Sequence, residues 1–120
     1  MINDYKKLKV WEKAVVLVSE IYSVTKNFPN DERFGLTSQI RRAAVSIPSN
    51  IAEGKLRGGD VEFRRFLLIA FGSGGELETQ IEIALKLGFI NNSDYEKINS
   101  TLSEVMKMLN VLITKLGASR

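Results

Sequence analysis

Six basic side chains are the residues of this sequence whose types and spacing are best suited to chemistry. They fall in the segments 41–42, 55–57 and 64–65, and we expect them to cluster around the turn between the second and third predicted helices: Arg41, Arg42, Lys55, Arg57, Arg64 and Arg65. Arginine predominates, and its planar guanidinium suits the forked hydrogen bonding of phosphate or carboxylate groups. Two interpretations stay open: these side chains contact the phosphates of a nucleic acid, or they pair with glutamates within or between subunits.

A second set of candidate residues lies in the glycine-rich and acidic stretch 72–82. Glu76, Glu78 and Glu82 could form an acidic site, although a solvated or ion-paired carboxylate face is the commoner arrangement. The glycine run at 72–75 lacks the preceding strand and the Lys-Ser/Thr end of a phosphate-binding loop. We therefore expect close helix contact or a local weak point at these glycines.

The composition excludes several kinds of active site. The 120 residues include no cysteine and no histidine, so disulfides, thiol catalysis, Ser-His chemistry and histidine–zinc sites are excluded. The two-metal sites of helical bundles use Glu-x-x-His pairs and cannot form here. No catalytic arrangement remains, and we expect a protein that is not an enzyme and has no cofactor, no metal and no small-molecule substrate.

The charge is modest overall but unevenly distributed. The net charge is +3; residues 1–65 contain 12 Lys and Arg against 8 Asp and Glu, whereas residues 66–120 contain 5 against 6. A basic half suits an anionic partner. No signal-peptide pattern begins the sequence and no apolar run is long enough to cross a membrane. We therefore expect a cytoplasmic protein that makes no membrane contact.

Four amphipathic helices account for the hydrophobic pattern. The spacing of apolar residues predicts helices over about 5–27, 36–53, 60–87 and 93–117. Pro48 interrupts the second helix, but the apolar stripe continues beyond it, so we expect a kinked and continuous helix. Short connections favour antiparallel neighbours. The predicted fold class is therefore all-α: an antiparallel up-down-up-down four-helix bundle in a single domain spanning residues 1–120.

The ends of these helices are predicted from capping residues. Asn3 or Asp4, Asp60 and Ser93 are the expected N-caps of the first, third and fourth helices. Gly54 is expected to end the second helix in a left-handed conformation.

The first helix carries more apolar positions than a single bundle needs. A seam with 3–4 spacing is predicted to face the bundle: Leu8, Trp11, Val15, Val18, Tyr22 and Thr25. A further column at Val10, Leu17 and Val24 would then be exposed as a large patch. This patch predicts a homo-oligomer.

Four segments resemble a known family. They read L-K-V-W at 8–11, L-T-S-Q-I-R-R-A-A-V-S-I-P-S-N-I-A-E-G at 36–54, E-F-x-R-F-L at 62–67 and E-L-E-T-Q at 76–80. The sequence is similar to the small four-helix bundle proteins encoded in intervening sequences of bacterial 23S ribosomal RNA genes. It departs from that family's usual pattern at Gly74 and Gly75, where more helix-favouring residues are common.

The resemblance carries expectations about assembly and partners. It implies a cytoplasmic, non-enzymatic protein that assembles as a ring-like homopentamer. A related accessory protein of diversity-generating retroelements has a basic surface, which implies binding of RNA or DNA here. The alternative is a protein–protein scaffold or interaction module whose working surface contacts a partner protein.

Overall fold

The computed structural model describes residues 4–118, which form four α-helices and two short 3-10 turns. The helices are α1 (Lys9–Thr25), α2 (Leu36–Leu56), α3 (Asp60–Lys86) and α4 (Asn92–Ala118), and the 3-10 turns are Asp4–Lys7 and Asn30–Glu32. The described residues include no strand, so the predicted all-α four-helix bundle is confirmed. Among these residues, no helix has the length and apolar character needed to cross a membrane.

Consecutive helices pack side by side, and α1 also packs against α4, which closes the bundle. The end of α2 meets the start of α3, where Gly54 lies against Phe66. The start of α3 meets the end of α4, where Arg64 donates a hydrogen bond to the carbonyl of Ile113. These contacts join opposite ends of neighbouring helices and are consistent with the up-down-up-down topology. The bundle measures 45 × 23 × 20 Å.

The stripe that α1 buries differs from the predicted one. Val10 and Leu17 are 3% and 0% exposed, and Val24 is half-buried against the core, whereas Val15 and Tyr22 are each 40% exposed. The column predicted to be a surface patch is therefore part of the core, and the predicted seam lies at its edge. Apolar residues occupy four of the seven positions in the seven-residue repeat of α1. Spacing alone therefore cannot identify which of these positions points inward.

α2 is continuous through Pro48, as predicted. Proline has no N–H to donate to the carbonyl of Ala44, one turn earlier. In the following turn the side-chain amide of Asn50 donates to the carbonyl of Ser46 at 2.8 Å and to its hydroxyl at 2.9 Å. These bonds reinforce the helix beside the residue that lacks a donor.

The predicted N-caps of the first and third helices are wrong. α1 begins at Lys9 with Leu8 at its N-cap position and no side-chain cap; Asp4 belongs to a 3-10 turn instead, and Asn3 lies outside the described residues. At α3, Gly59 rather than Asp60 occupies the N-cap position. Gly59 has a φ of 125°, which favours glycine, so the chain reverses one residue earlier than a capping aspartate would require.

The predicted cap of α4 is also displaced by two residues. The side-chain oxygen of Asn91, not that of Ser93, accepts a hydrogen bond from the backbone N–H of Asp94 at 2.7 Å. Asparagine and serine are both strong N-caps. Gly88, with a φ of 77°, ends the preceding turn early enough for Asn91 to reach the first turn of α4.

Two buried glycines allow close helix contact. Gly54 does not end α2, which continues to Leu56; instead, a Cβ at residue 54 would lie 2.6 Å from the Cβ of Phe66. Gly74 lies in the interior of α3, where a Cβ would overlap the sulfur of Met106 in α4. The expectation of close helix contact in the glycine run is therefore confirmed at Gly74.

Candidate functional site

The six predicted basic residues divide into two groups along α2. Arg41 and Arg42 lie near its start, whereas Lys55 lies in its last turn and Arg57 directly follows it. The 15 residues from Arg42 to Arg57 correspond to about 22 Å of helix. The prediction that all six cluster around the turn between the second and third helices is therefore wrong for Arg41 and Arg42. The other four lie at that turn and are termed the basic end: Lys55, Arg57, Arg64 and Arg65.

Two arginines of the basic end form ion pairs with glutamates of their own helices. A terminal nitrogen of Arg57 lies 2.8 Å from a carboxylate oxygen of Glu53. Arg65 donates two hydrogen bonds to the carboxylate of Glu62, at 3.1 and 3.2 Å, and these bonds lower the pKa of Glu62. Both pairs are exposed, and exposed pairs of this kind contribute little to stability. Within one subunit, Arg57 and Arg65 therefore each have a glutamate partner.

Two aromatic rings lie close to the cations of Lys55, Arg57 and Arg65. The guanidinium carbons of Arg57 and Arg65 lie 5.1 and 4.5 Å from the ring centroid of Phe66, and the ammonium of Lys55 lies 5.3 Å from that of Phe63. Cations at these distances are attracted to the face of a ring. The two rings thus hold three positive charges side by side at one end of the bundle.

Arg64 has a structural role instead. Its Nε donates a hydrogen bond to the carbonyl of Ile113 at 3.1 Å, and a Cβ at Gly117 would lie 3.0 Å from the same nitrogen. A cation near the last turn of α4 also compensates the negative end of the helix dipole. Arg64 therefore ties the start of α3 to the end of α4 and has less freedom to bind a ligand than its neighbours.

A groove of about 600 Å³ opens beside the first half of α2, between α1 and the connection that precedes α2. We term it the arginine groove, and it is lined by Tyr22, Arg33, Phe34, Thr37, Ser38, Arg41, Arg42, Val45 and Ser46. Three of these described residues are arginines and none carries a carboxylate. The lining of the groove therefore carries positive charge and no acidic side chain.

Within the arginine groove, Arg41 is held in place and Arg42 is not. The Nε of Arg41 donates to the hydroxyl of Thr25 at 2.8 Å, and its guanidinium lies 4.5 Å from the ring centroid of Tyr22. Arg42 is exposed and has no hydrogen bond or ion pair with a described residue. Arg41 thus forms part of the wall, while Arg42 has its donors free for a ligand.

The turn before α2 adds a cation and an aromatic ring to the groove. The guanidinium carbon of Arg33 lies 5.4 Å from the ring centroid of Phe34. Phe34 is 89% exposed, so nearly all of its ring is open to solvent. This pair belongs to the segment that follows the 3-10 turn Asn30–Glu32 and precedes Gly35.

A smaller groove of about 340 Å³ lies on the other side of Arg42, between α2 and α3. Hydroxyl groups of Ser46 and Ser73 are 2.8 Å apart and join the two helices there. Glu76 also lines this groove and accepts a hydrogen bond from Gln80 at 3.4 Å, but it forms no ion pair with an arginine of the described chain. The second groove is therefore mixed in charge.

The acidic residues of α3 do not gather into a metal site. Among the described residues, no group of three or more Asp, Glu, His or Cys side chains could hold a metal ion. Glu82 instead accepts a hydrogen bond from the hydroxyl of Tyr95 in α4, and this bond raises the pKa of Tyr95. The interpretation of Glu76, Glu78 and Glu82 as a surface carboxylate face is the one that fits.

Sequence reasoning missed Arg33 and Phe34 as members of a site. The hydrophobic pattern assigns no role to the stretch between the first two predicted helices. A signal was present, because Arg33 and Thr37, and Thr37 and Arg41, are each four residues apart, as on one helix face. Continuing the pattern of α2 backwards through Gly35 would have joined Arg33 to Arg41.

Comparison with known proteins gives consistent results. The family model described as 23S rRNA-intervening sequence protein matches residues 6–111. The chain is also similar to a crystal structure from Bacteroides thetaiotaomicron, described as a protein with unknown function from the S23 ribosomal protein family. That similarity has a TM-score of 0.80 and 28% sequence identity, and it covers 87% of this chain and 97% of that chain. No curated protein matches the sequence.

Proposed function

Because the chain belongs to the 23S rRNA-intervening sequence protein family, we propose that it is a non-enzymatic, oligomeric protein of the cytoplasm that binds RNA or DNA through its basic surfaces. The observation that carries this proposal is the arginine groove, in which three arginines occur without a carboxylate. Phosphate is the anion that nucleic acids offer at high density, and arginine forks suit its oxygens.

The basic end supports the same proposal as a second contact surface. Lys55, Arg57 and Arg65 are exposed, and their partners are exposed glutamates or aromatic faces. Exposed ion pairs contribute little free energy, so a phosphate can replace a glutamate at modest cost. Along the axis of α2, the basic end and the arginine groove are separated by roughly 20 Å.

Self-association would multiply this charge. The outer face of α3 and the residue that follows this helix have apolar side chains in contact with solvent in the single chain: Leu68 and Ile83 are each 44% exposed and Leu87 is 57% exposed. Between them, added Cβ atoms at Gly72 and Gly75 would meet nothing within 4 Å. A second copy packed on this face would cover apolar surface. A closed ring, such as the pentamer that the family resemblance implies, would repeat the basic groups around its axis.

The test is nucleic-acid binding as a function of salt. We expect tight binding of labelled RNA or DNA at low salt, with log affinity falling against log salt by roughly 0.7 to 0.9 per phosphate neutralised. Replacing Arg42, Arg57 and Arg65 together by glutamine should weaken binding and flatten the slope. The matched control replaces Lys86, Lys97 and Lys115, three exposed lysines of α3 and α4, by glutamine and has the same net charge.

Two outcomes would contradict the proposal. One is the absence of a gel shift with RNA and with DNA at low salt. The other is an equal loss of affinity in the arginine variant and the lysine control, which would mean that net charge alone, without a site, drives binding.

The alternative function is a protein–protein interaction module, and one observation favours it. A groove of about 390 Å³ at the junction of α1 and α4 is almost entirely apolar and is flanked by Lys9 and Lys107. Val111 in this groove is 51% exposed. If nucleic acid does not bind, a pull-down with the wild-type chain and a Val111→Glu variant would test this surface.

A further inference from the structure

The exposure of the Phe34 ring to solvent is not explained by contacts between the groove and phosphates. Phe34 is 89% exposed, in a turn, beside an arginine and at the rim of a groove that lacks carboxylates. Exposed phenylalanine contributes nothing to the core, which is formed by the inward faces of the four helices. A flat aromatic face next to cations is, however, a suitable platform for a nucleobase.

We propose that the arginine groove binds unpaired nucleotides of a single strand, with one base stacked on Phe34 and adjacent phosphates contacting Arg33 and Arg42. This inference rests on the proposed function and specifies the form of nucleic acid that the groove recognises. Stacking on an aromatic ring needs an exposed base face. Bases within a duplex already stack on each other, so Phe34 would select an unpaired segment.

The individual side chains of the groove fit these roles. Arg42 is exposed and has no partner among the described residues, so its donors can approach a phosphate without losing an existing bond. Arg33, 5.4 Å from the ring of Phe34, can cover the outer face of a stacked base or reach its phosphate. Arg41 is fixed by Thr25 and Tyr22, and it contributes positive potential from the wall.

Charge favours a nucleic acid over a second copy of this chain as the occupant. A second copy seated here would bury three arginines in a groove that has no carboxylate of its own. Burying an unpaired charge is costly, and the chain already carries a net charge of +3. A polyanion with exposed aromatic bases satisfies both the charge and the ring.

The experiment compares single-stranded and duplex ligands with variants of Phe34. Fluorescence anisotropy would measure binding of a labelled single-stranded RNA of about eight nucleotides, within the range that such surfaces cover, and of a hairpin duplex of the same composition. Phe34→Ala should weaken single-strand binding by about 5- to 150-fold and leave duplex binding unchanged. Phe34→Trp should retain single-strand binding.

A matched variant and a direct probe strengthen the comparison. Val16→Ala truncates another exposed apolar side chain, 47% exposed, in α1 and outside the groove lining, and it should change neither affinity. A single strand containing 2-aminopurine should lose fluorescence on binding to the wild-type chain, because that base is quenched by stacking, and less on binding to Phe34→Ala. Circular dichroism should show unchanged helix content in each variant, since exposed positions tolerate substitution.

Different failures have different meanings. If wild-type chain binds the single strand and Phe34→Ala binds it equally well, the stacking proposal is wrong while nucleic-acid binding stands. If neither RNA nor DNA binds, the proposed function fails and this inference fails with it. If Phe34→Ala changes the oligomeric state in light scattering, the groove is a subunit interface, and the proposal is overturned.

Discussion

Gly54 of α2 lies directly against Phe66 of α3, so that a Cβ on residue 54 would be 2.6 Å from the Cβ of Phe66. The ring of Phe66 in turn lies beneath the guanidinium groups of Arg57 and Arg65. The absence of one side chain in α2 therefore determines the position of the aromatic ring that supports two cations of the basic end. Helix packing and surface charge are coupled at this contact.

Gly54→Ala should destabilise the bundle. The added methyl group would meet the Cβ of Phe66, which cannot move without its backbone, and overpacking of this kind costs about 1–3 kcal/mol. The gain in helix propensity, about 1 kcal/mol, offsets part of that cost, so we expect a net loss on the order of 1 kcal/mol in urea denaturation. Ser100→Ala, at an exposed position of α4, raises helix propensity without a close contact and should stabilise slightly. A stability gain in both variants would contradict the close contact.

Leu17→Ala should destabilise the fold rather than dissociate an assembly. Leu17 is 0% exposed and belongs to the core, so its truncation should lower the free energy of unfolding by about 2–5 kcal/mol. Val16→Ala is the matched control, since Val16 is 47% exposed and precedes Leu17 in α1. Denaturant melts of both variants would decide. A Leu17 variant that keeps its stability but loses its partners would show that this residue lies at an interface.

The sequence was sufficient to predict the four helices and the bundle, because a long hydrophobic pattern with helical spacing distinguishes a helix from a strand. It was not sufficient to orient α1, whose four apolar columns fit more than one stripe. Capping residues were misplaced for other reasons: α1 begins after Leu8 without a side-chain cap, and glycine turns at Gly59 and Gly88 precede the starts of α3 and α4. Turn geometry of this kind depends on tertiary packing.

The candidate site was predicted in part. Residue type alone identified the arginines, but their grouping depends on the length of α2, which separates Arg42 from Arg57 by about 22 Å. Arg33 and Phe34 were missed because their position depends on the path of the connection from α1 to α2. The four-residue spacing from Arg33 to Arg41 indicates a shared face, but it does not show that this face lines a groove.

The hydrogen bond from Tyr95 to Glu82 predicts a pH dependence at high pH. Because this bond raises the pKa of Tyr95 in the folded chain, it stabilises the fold at pH values below the ordinary tyrosine pKa of about 10. That contribution is lost as pH rises through the folded pKa. Glu82→Gln should shift the Tyr95 titration, followed by tyrosinate absorbance against a Tyr95→Phe reference, towards lower pH. An unchanged midpoint would mean that Glu82 does not control this phenol.

Alanine at Gly72 and Gly75 should distinguish a lone bundle from an assembly that uses α3. In a single chain both Cβ atoms would point into open space, so each substitution should stabilise the helix by up to about 1 kcal/mol. If a second copy packs on this face, the added methyl groups should instead weaken association. Light scattering coupled to gel filtration, over a range of concentrations, measures the assembly, and denaturant melts measure the fold. A wild-type chain that stays monomeric at tens of micromolar would contradict the proposed oligomer.

The glutamates of the basic end should act as competitors of a nucleic-acid backbone. Glu53 and Glu62 hold Arg57 and Arg65 in exposed ion pairs, and a phosphate must replace or share these contacts. Replacing both glutamates by glutamine removes two negative charges and frees both guanidinium groups. Affinity for RNA or DNA should therefore rise, and the salt slope should steepen if either arginine gains a phosphate, by roughly 0.7 to 0.9 for each.

Replacing the arginines of these ion pairs, instead of the glutamates, tests whether the pairs are structural or functional. Arg57→Gln with Arg65→Gln should lower affinity for all sequences alike, because phosphate contacts carry no base information. Glu78→Gln with Glu96→Gln, at exposed positions of α3 and α4, changes the net charge as the replacement of Glu53 and Glu62 does but lies away from the basic end. If the two glutamine pairs raise affinity equally, only the overall charge matters. If the variant that lacks Glu53 and Glu62 binds more tightly than this control, the basic end is a phosphate-binding surface and its glutamates set its affinity.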